Sequence, residues 1–309
     1  MSINFWFCIR VNIEHIKKER IMICTSCPRR CGVDRLKSVG YCRMPSAPKV
    51  AKAYLHKWEE PCISGDKGSG TIFFSGCNLR CVYCQNYSIS SECEGKEISI
   101  SRLAEIFREL EEKGAENINL VSPSHYIDAI VQALEIYRPS IPIVYNSNGY
   151  DLLEGLEKIR DYIDVFLVDF KYFDSSLSES LSNAKDYPEV AKKAILRMRE
   201  FQPREIYEGD KLKKGVIIRH LILPNHIDDS IKILEWIKEN ISNPTISLMG
   251  QYTPMYKANE YKDICRPLKP IEYKIVANKM IELGLEEGYF QDLTSATDCY
   301  TPVWDNEGV

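Results

Sequence analysis

The sequence has no apolar run approaching the roughly 20 residues that a membrane-crossing helix needs. It has no excess of positive charge either. Its 40 Lys and Arg stand against 44 Asp and Glu, a net charge of −4, so no global basic field recruits nucleic acid. Local basic runs such as residues 211–214 read as a solvated loop. No secretion signal is evident either: the opening MSINFWFCIRV reads as a poor signal peptide, with a short greasy patch but no basic leader before it and no small-residue cleavage site. The 12 cysteines are therefore not read as a disulfide framework. They crowd towards the N-terminal third in short metal-type spacings, which fits a reducing cytoplasm. No internal repeat is present, and no low-complexity tract beyond the serine-rich SSLSESLS, read as a loop. What remains is ordinary for a globular chain. With 309 residues, 44% of them apolar, it can bury a sizeable core as one barrel, or as one barrel plus a small appendage.

Two cysteine groups carry chemistry. The first follows an N-terminal extension, residues 1–21, that looks unlike the segment after it; synthesis is expected to begin at Met22 rather than Met1. In CTSCPRRCGVDRLKSVGYC, Cys24, Cys27, Cys31 and Cys42 have the spacing C-x2-C-x3-C-x10-C. Gly32 and Gly40 allow tight turns, and Pro28 stiffens the first knuckle. Four thiolates with no open position suit a closed site, either structural Zn2+ or an iron–sulfur cluster, and spacing does not choose between them. Buried or free cysteines without metal are the plain alternative. Residues 22–69 are read as this cysteine-rich module plus a linker, with Pro45, Pro48 and Pro61 and a closing GDKGSG. His56, Trp58, Glu59 and Glu60 lie in that linker without an assigned role. Cys8, Cys62, Cys93, Cys265 and Cys299 are likewise unassigned.

The second group is SGCNLRCVYCQN, where Cys77, Cys81 and Cys84 fall in the spacing C-x3-C-x2-C directly after an apolar run. Three thiolates in one tight loop can hold three corners of a cubane [4Fe–4S] cluster. The fourth iron then lacks a protein ligand, and an open metal position signals chemistry at the metal. A zinc loop with a distant fourth ligand is the alternative on spacing alone.

From residue 70 to 291 the chain alternates strands and helices. Strands are expected at 71–75, 118–121, 143–146, 163–169, 216–223 and 246–249, short β-branched runs suited to buried parallel strands. Between them lie amphipathic helices. Leu103, Ile106, Phe107 and Leu110 stripe one, capped at Ser101; Ile127, Ile130, Val131 and Leu134 stripe another, ended by Pro139. A third carries Ile231, Leu234 and Ile237. The last carries Tyr273, Val276, Met280 and Leu283 and stops at Gly284. Six strand–helix units with right-handed crossovers make an α/β sheet. Periodicity does not say whether it is open or curled. Residues 292–309 form a C-terminal tail.

Ligands gather at the carboxyl ends of such strands. Those ends read VSPSHY, NSNGY, VDFKY, RHLILPN and MGQYTP. Turns explain their Gly, Asn and Pro, but Asp169, Lys171 and Arg219 at buried strand ends need a partner or a ligand.

The loop C-x3-C-x-aromatic-C, with Tyr83 as the aromatic, resembles the radical S-adenosylmethionine (SAM) superfamily. The resemblance implies an incomplete (β/α)6 TIM-type barrel and an open iron that chelates the amino and carboxylate groups of S-adenosylmethionine. It also implies reductive cleavage of that cofactor to a 5′-deoxyadenosyl radical, which abstracts hydrogen from a substrate. Asn148–Gly149, Asp169 with Lys171, and Arg219 with Pro224 are similar to the pyruvate formate-lyase-activating-enzyme branch. By that likeness Lys171 pairs with the cofactor carboxylate and Asp169 sits near the ribose or an adjacent cation, while Tyr83 and the Gln251–Tyr252 loop lie by the adenine. Asn148 and Arg219 join the same cofactor-binding set. The superfamily's Gly-Gly-Glu after the second strand is absent. Ser122 and Ser124, or carbonyls beside Pro123, stand in its place to accept from the cofactor amino group, and His125 reads as a helix-start or core residue, with a proton or substrate group as the alternative. The implied partners are an electron donor such as flavodoxin or ferredoxin and, if the branch's activity carries over, a glycyl-radical enzyme. Long strand-end loops at 174–187, 201–215 and 251–269 favour such a protein substrate. A non-catalytic iron–sulfur carrier or cluster-assembly protein is the runner-up.

Overall fold

The computed structural model describes residues 23–291 and 302–309. The Met1 and Met22 question, Cys8 and Cys299 fall outside them. Among the described residues no helix is long and apolar enough to cross a membrane.

The expected alternation is present. Strands β1 (Lys49–His56) and β2 (Ser69–Phe74) flank the short α1 (Pro61–Ser64), and α2 (Tyr87–Ser90), β3 (Lys96–Glu97) and α3 (Ile100–Glu112) follow. Then come β4 (Ile118–Val121), α4 (Ile127–Ile136), β5 (Ile143–Ser147), α5 (Leu153–Ile159), β6 (Val165–Asp169), α6 (Ser175–Ser182) and α7 (Tyr187–Phe201). The chain continues through β7 (Ile206–Glu208), β8 (Lys211–Leu221), α8 (Ile227–Asn240), β9 (Thr245–Met249), α9 (Pro270–Glu282) and β10 (Gly288–Phe290).

The sheet order is β10-β9-β8-β6-β5-β4-β2-β1-β3, parallel from β2 through β10. Each parallel strand lies beside its predecessor in the chain, with no reversal of direction. Right-handed crossovers then place the crossover helices on one face, so the sheet curls around the other. This order decides what periodicity left open. The sheet has two free ends, so the barrel is incomplete. Alternate side chains divide accordingly. Ile118, Leu120, Tyr145, Phe166 and Ile218 pack with Phe107, Ile130 and Ile195 from the helices. Val144, Val165, Leu167 and Ile217 pack with Cys62 and Ile63 of α1, which plugs the amino-terminal mouth.

Several local expectations change. Segment 44–70 is not a plain linker: β1 pairs antiparallel with β2, and Lys52, poor strand material when buried alone, is matched by Asp305 (2.9 Å) and Glu307 (3.0 Å). Residues 302–309 run along β1, where the Ala53 N–H donates to Glu307 O at 2.9 Å. The serine-rich tract is helix α6, because Asp174 caps it through the Ser176 and Leu177 N–H groups and Asn183 closes it in the left-handed conformation. Residues 211–214 are strand paired with β7, not a solvated loop. The cap of α3 is Ser99, which accepts from Arg102 N; Ser101 sits inside the first turn.

Candidate active site

β2 delivers the cysteine loop at the carboxyl end of the sheet. The turn out of the strand uses Gly76 at φ 79°, and a Cβ there would run into the Met44 side chain and come 2.7 Å from Cys42 O. Cys77 and Cys81 are buried and Cys84 half-buried, all three as free thiols. Each sulfur has a polar side chain aimed at it. Asn148 Nδ2 donates to Cys77 Sγ at 3.4 Å, Ser182 Oγ to Cys81 Sγ at 3.0 Å and Ser90 Oγ to Cys84 Sγ at 3.3 Å. Hydrogen bonds to sulfur hold negative charge on thiolate ligands and tune a cluster's potential. As thiols, Cys81 and Cys84 are held protonated. Burial pushes Cys84 up to about 12, and it raises Cys81 against the opposing pull of the Lys171 ammonium. Metal coordination, which deprotonates a thiol outright, reverses that balance.

Opposite the loop lie the ends of β5, β6 and β8. Asp169 stands between two cations, accepting from Lys171 Nζ at 2.7 Å and Arg219 Nε at 2.8 Å. Burial works to raise its carboxyl, but Arg219 and Lys171 outweigh it and hold it below the ordinary range. Arg219 also donates to Asn146 Oδ1 at 2.7 Å and pairs with Glu59 at 3.3 Å. Glu59 and its neighbour Glu60 rise from the α1 plug into this polar layer, and burial raises both carboxyls against the Arg219 charge. Asn119 and Ser247 face them closely enough to bias their protonation, yet outside hydrogen-bonding geometry.

The expected residues sort as follows. Asp169, Lys171 and Arg219 meet in one network. Asn148 faces the Cys77 sulfur and Asn78 rather than open space. Tyr83 is buried on the loop with its hydroxyl 2.7 Å from Tyr172 Oη, which lies 2.7 Å from Ser182 Oγ, so the aromatic joins the chain supporting Cys81. Ser122, at φ 60°, ends β4, while Ser124 turns away to Asp151. Gln251 opens the loop after β9, and Tyr252 anchors that loop through Ile264 O at 2.7 Å. His125 has the core role expected of it. Burial drives its imidazole down to about 3, and its Nε2 lies 2.9 Å from Ser75 O, bracing the backbone before the cysteine loop.

Sequence reasoning missed Ser182, Ser90, Glu59, Glu60 and Tyr187. Tyr187 Oη lies 2.9 Å from Asn148 O and 3.0 Å from Asp169 O, and accepts the Lys171 N–H at 2.9 Å, tying two strand ends together. No local pattern marks these residues, since each acts across the fold.

The four cysteines of the N-terminal module lie against this site. Tyr41 Oη donates to Leu79 O at 3.1 Å, and Arg29 donates to Asn78 O at 2.8 Å and Ser182 O at 3.1 Å. Cys24, Cys27 and Cys42 are buried, and burial pushes the Cys27 thiol up to about 12. A separate cavity of about 560 Å³ lies between the module and α4, lined by Arg35, Ile127 and Gly155; it does not reach the Cys77 loop.

Residues 71–237 match the family described as the Radical SAM superfamily. The uncharacterised protein MJ0674 of Methanocaldococcus jannaschii is 34% identical over 288 residues, covering 90% of this chain and 78% of that protein. Among solved structures, Streptococcus suis SuiB bound to its precursor peptide SuiA aligns at 14% identity with a TM-score of 0.49 over 71% of this chain. The chain spans about half of SuiB, 48% of its length. A domain of a pyruvate-formate lyase-activating enzyme from Bacteroides vulgatus aligns at 15% identity with a TM-score of 0.38, covering 55% of this chain and 91% of that domain.

Proposed function

Because the chain belongs to the radical SAM superfamily, we propose that Cys77, Cys81 and Cys84 hold a [4Fe–4S] cluster with one open iron, and that the polar interior beside it receives S-adenosylmethionine. When bound, that pair supplies a 5′-deoxyadenosyl radical able to abstract hydrogen from a substrate. The observation that carries the reading is the arrangement of three free thiols, each facing a side-chain donor, with the Lys171–Asp169–Arg219 set at the same end of the barrel.

The chain's own residues have definite tasks in it. Asn148, Ser182 and Ser90 stabilise thiolate charge. Lys171, a compact ammonium, pairs with the cofactor carboxylate, and Asp169 holds that ammonium charged: burial lowers the Lys171 pKa, and Asp169 and Cys81 more than restore it. Ser122 and the backbone at the end of β4 accept from the cofactor amino group. Tyr83, Tyr172 and Tyr252 wall the loop with rings whose centroids lie 5.8–6.5 Å apart, which limits water near the cysteines. An electron carrier needs thiolates and a docking face; it has no use for a buried Lys–Asp–Arg set around a polar interior.

Activation of a glycyl-radical enzyme rests on the strand-end likeness. Of the three long loops that favoured a protein substrate, 174–187 is mostly α6 and 201–215 is the β7–β8 hairpin, leaving 251–269 as the long irregular one. The test of the cofactor reading is electron paramagnetic resonance of the reduced, reconstituted protein. Adding S-adenosylmethionine should shift the g-values of the Cys77 cluster, and a signal indifferent to saturating cofactor would remove the reading. The activase version needs a protein-borne glycyl radical after incubation with a partner, and turnover of a small metabolite without any partner would sink it.

A further inference from the structure

We propose that Cys24, Cys27, Cys31 and Cys42 hold a second [4Fe–4S] cluster, and that this cluster passes electrons to the one at Cys77, Cys81 and Cys84. The first half stands on the module alone; the second rests on the proposed function.

The four cysteines are built as ligands. All are free, and backbone N–H groups point at three of the sulfurs: Arg29 N–H at Cys27, Tyr41 N–H at Cys31 Sγ (3.2 Å) and Met44 N–H at Cys42. A neutral buried thiol has little need of such donors, whereas a thiolate ligand does. Gly40 makes one of them possible, since a Cβ there would stand 2.9 Å from Cys31 Sγ and block the approach of Tyr41 N–H.

Position and chemistry favour iron–sulfur over zinc. Cys24, Cys31 and Cys42 all lie within electrostatic reach of Cys27, and a cubane takes four such thiolates, each on its own iron. Zinc has no redox chemistry, so it would give no reason for a second cysteine set packed against the Cys77 loop.

Position gives the module its role. Cys42 O lies against Gly76, whose next residue is Cys77, so a ligand of one set touches the peptide that leads into a ligand of the other. Arg29 fastens the contact by donating to the carbonyls of Asn78 and Ser182, the residues beside Cys77 and behind Cys81. The electron balance is simple. A low-potential one-electron donor protein, of the flavin or iron–sulfur class, is oxidised as the module cluster goes from 2+ to 1+. The module cluster returns to 2+ as the Cys77 cluster is reduced, and no bond to the protein forms or breaks.

The test begins with full-length Cys77→Ala/Cys81→Ala/Cys84→Ala, reconstituted anaerobically with iron and sulfide. It should retain about four iron and four sulfide per chain and give a cluster signal on reduction, against about eight of each in the wild type. Zinc without sulfide, in the variant or in the wild type as isolated, would overturn the assignment, as would a wild type that saturates at about four iron. The relay is tested in Cys24→Ser/Cys31→Ser by stopped-flow bleaching of the remaining cluster. The fast phase of reduction by a flavodoxin-type donor should be lost while dithionite still reduces the cluster. An unchanged fast phase would overturn the relay. Neither readout depends on cofactor cleavage, so failure here is distinguishable from failure of the radical reading.

Discussion

Asp169 offers the sharpest energetic test, because it is one buried carboxylate shared by two cations. Its side chain is 13% exposed, and it accepts from Lys171 at 2.7 Å and from Arg219 at 2.8 Å. Asp169→Asn keeps the shape and removes the charge. Breaking a buried pair by deleting one partner costs about 3–5 kcal/mol, because a buried charge is left uncompensated. The two cations do not suffer equally. Arg219 keeps Glu59 at 3.3 Å and Asn146 at 2.7 Å, whereas Lys171 loses its ion-pair partner. The cost therefore falls mainly on Lys171, which can shed its proton, and the lower end, about 3 kcal/mol, is expected. For a chain of this size that lowers the thermal midpoint by roughly 4–6 °C, read by anaerobic calorimetry of the reconstituted protein. The double variant Asp169→Asn/Lys171→Met removes the orphaned charge and should be more stable than Asp169→Asn alone even though Lys171→Met by itself destabilises, the coupling that a full double-mutant cycle reads. A single variant within about 0.5 kcal/mol of wild type, or a double variant less stable than the single one, would refute the reasoning.

Lys171→Ala should weaken S-adenosylmethionine binding by about 1.5–3 kcal/mol, the range for a hydrogen bond to a charged group, measured by equilibrium binding, while iron content stays at the wild-type level. Gly76→Ala combines a left-handed backbone with a collision against Cys42 O; a loss of about 1–3 kcal/mol is expected, together with faster proteolysis of the module, and wild-type protection would count against tight docking. Glu272 tests pH dependence. Arg266 donates to it, burial opposes, and the Asn225 and Lys269 N–H groups help hold its carboxyl down to about 2 from 4.5. A folded pKa below the unfolded one adds stability fully present above pH 4.5 and lost as pH falls through about 2. The gap is worth at most roughly 3 kcal/mol, so Glu272→Gln should be less stable than wild type at pH 7, with the difference shrinking as pH falls from 5 to 2; a constant difference would show that shape, not charge, is responsible.

The six parallel strands and their helices were legible because buried parallel strands write themselves as short β-branched runs and amphipathic helices as stripes. The cysteine loop was legible because three ligands for one cluster must come from one tight turn. Distant matches were not legible. Lys52 argues against a buried strand until Asp305 and Glu307 meet it, so β1 read as linker. SSLSESLS has poor helix formers, and only the Asp174 and Asn183 caps, with packing on α7, make it a helix that carries Ser182 to Cys81. Glu59 and Glu60 had no assigned role in the linker, but Pro61 starts the α1 plug and turns them into the barrel towards Arg219. Sequence distance hid all three: the partners lie 100 to more than 250 residues away.

The central claim, that the Cys77 loop and the polar interior beside it form a radical-generating site, is tested most directly by cofactor cleavage. Protein reconstituted anaerobically with iron and sulfide is mixed with S-adenosylmethionine and a strong reductant, and 5′-deoxyadenosine is quantified. Wild type should form it, and Cys77→Ala, Cys81→Ala and Cys84→Ala should each abolish it. A fully loaded, reducible Cys77 cluster that binds the cofactor without ever releasing 5′-deoxyadenosine would contradict the account.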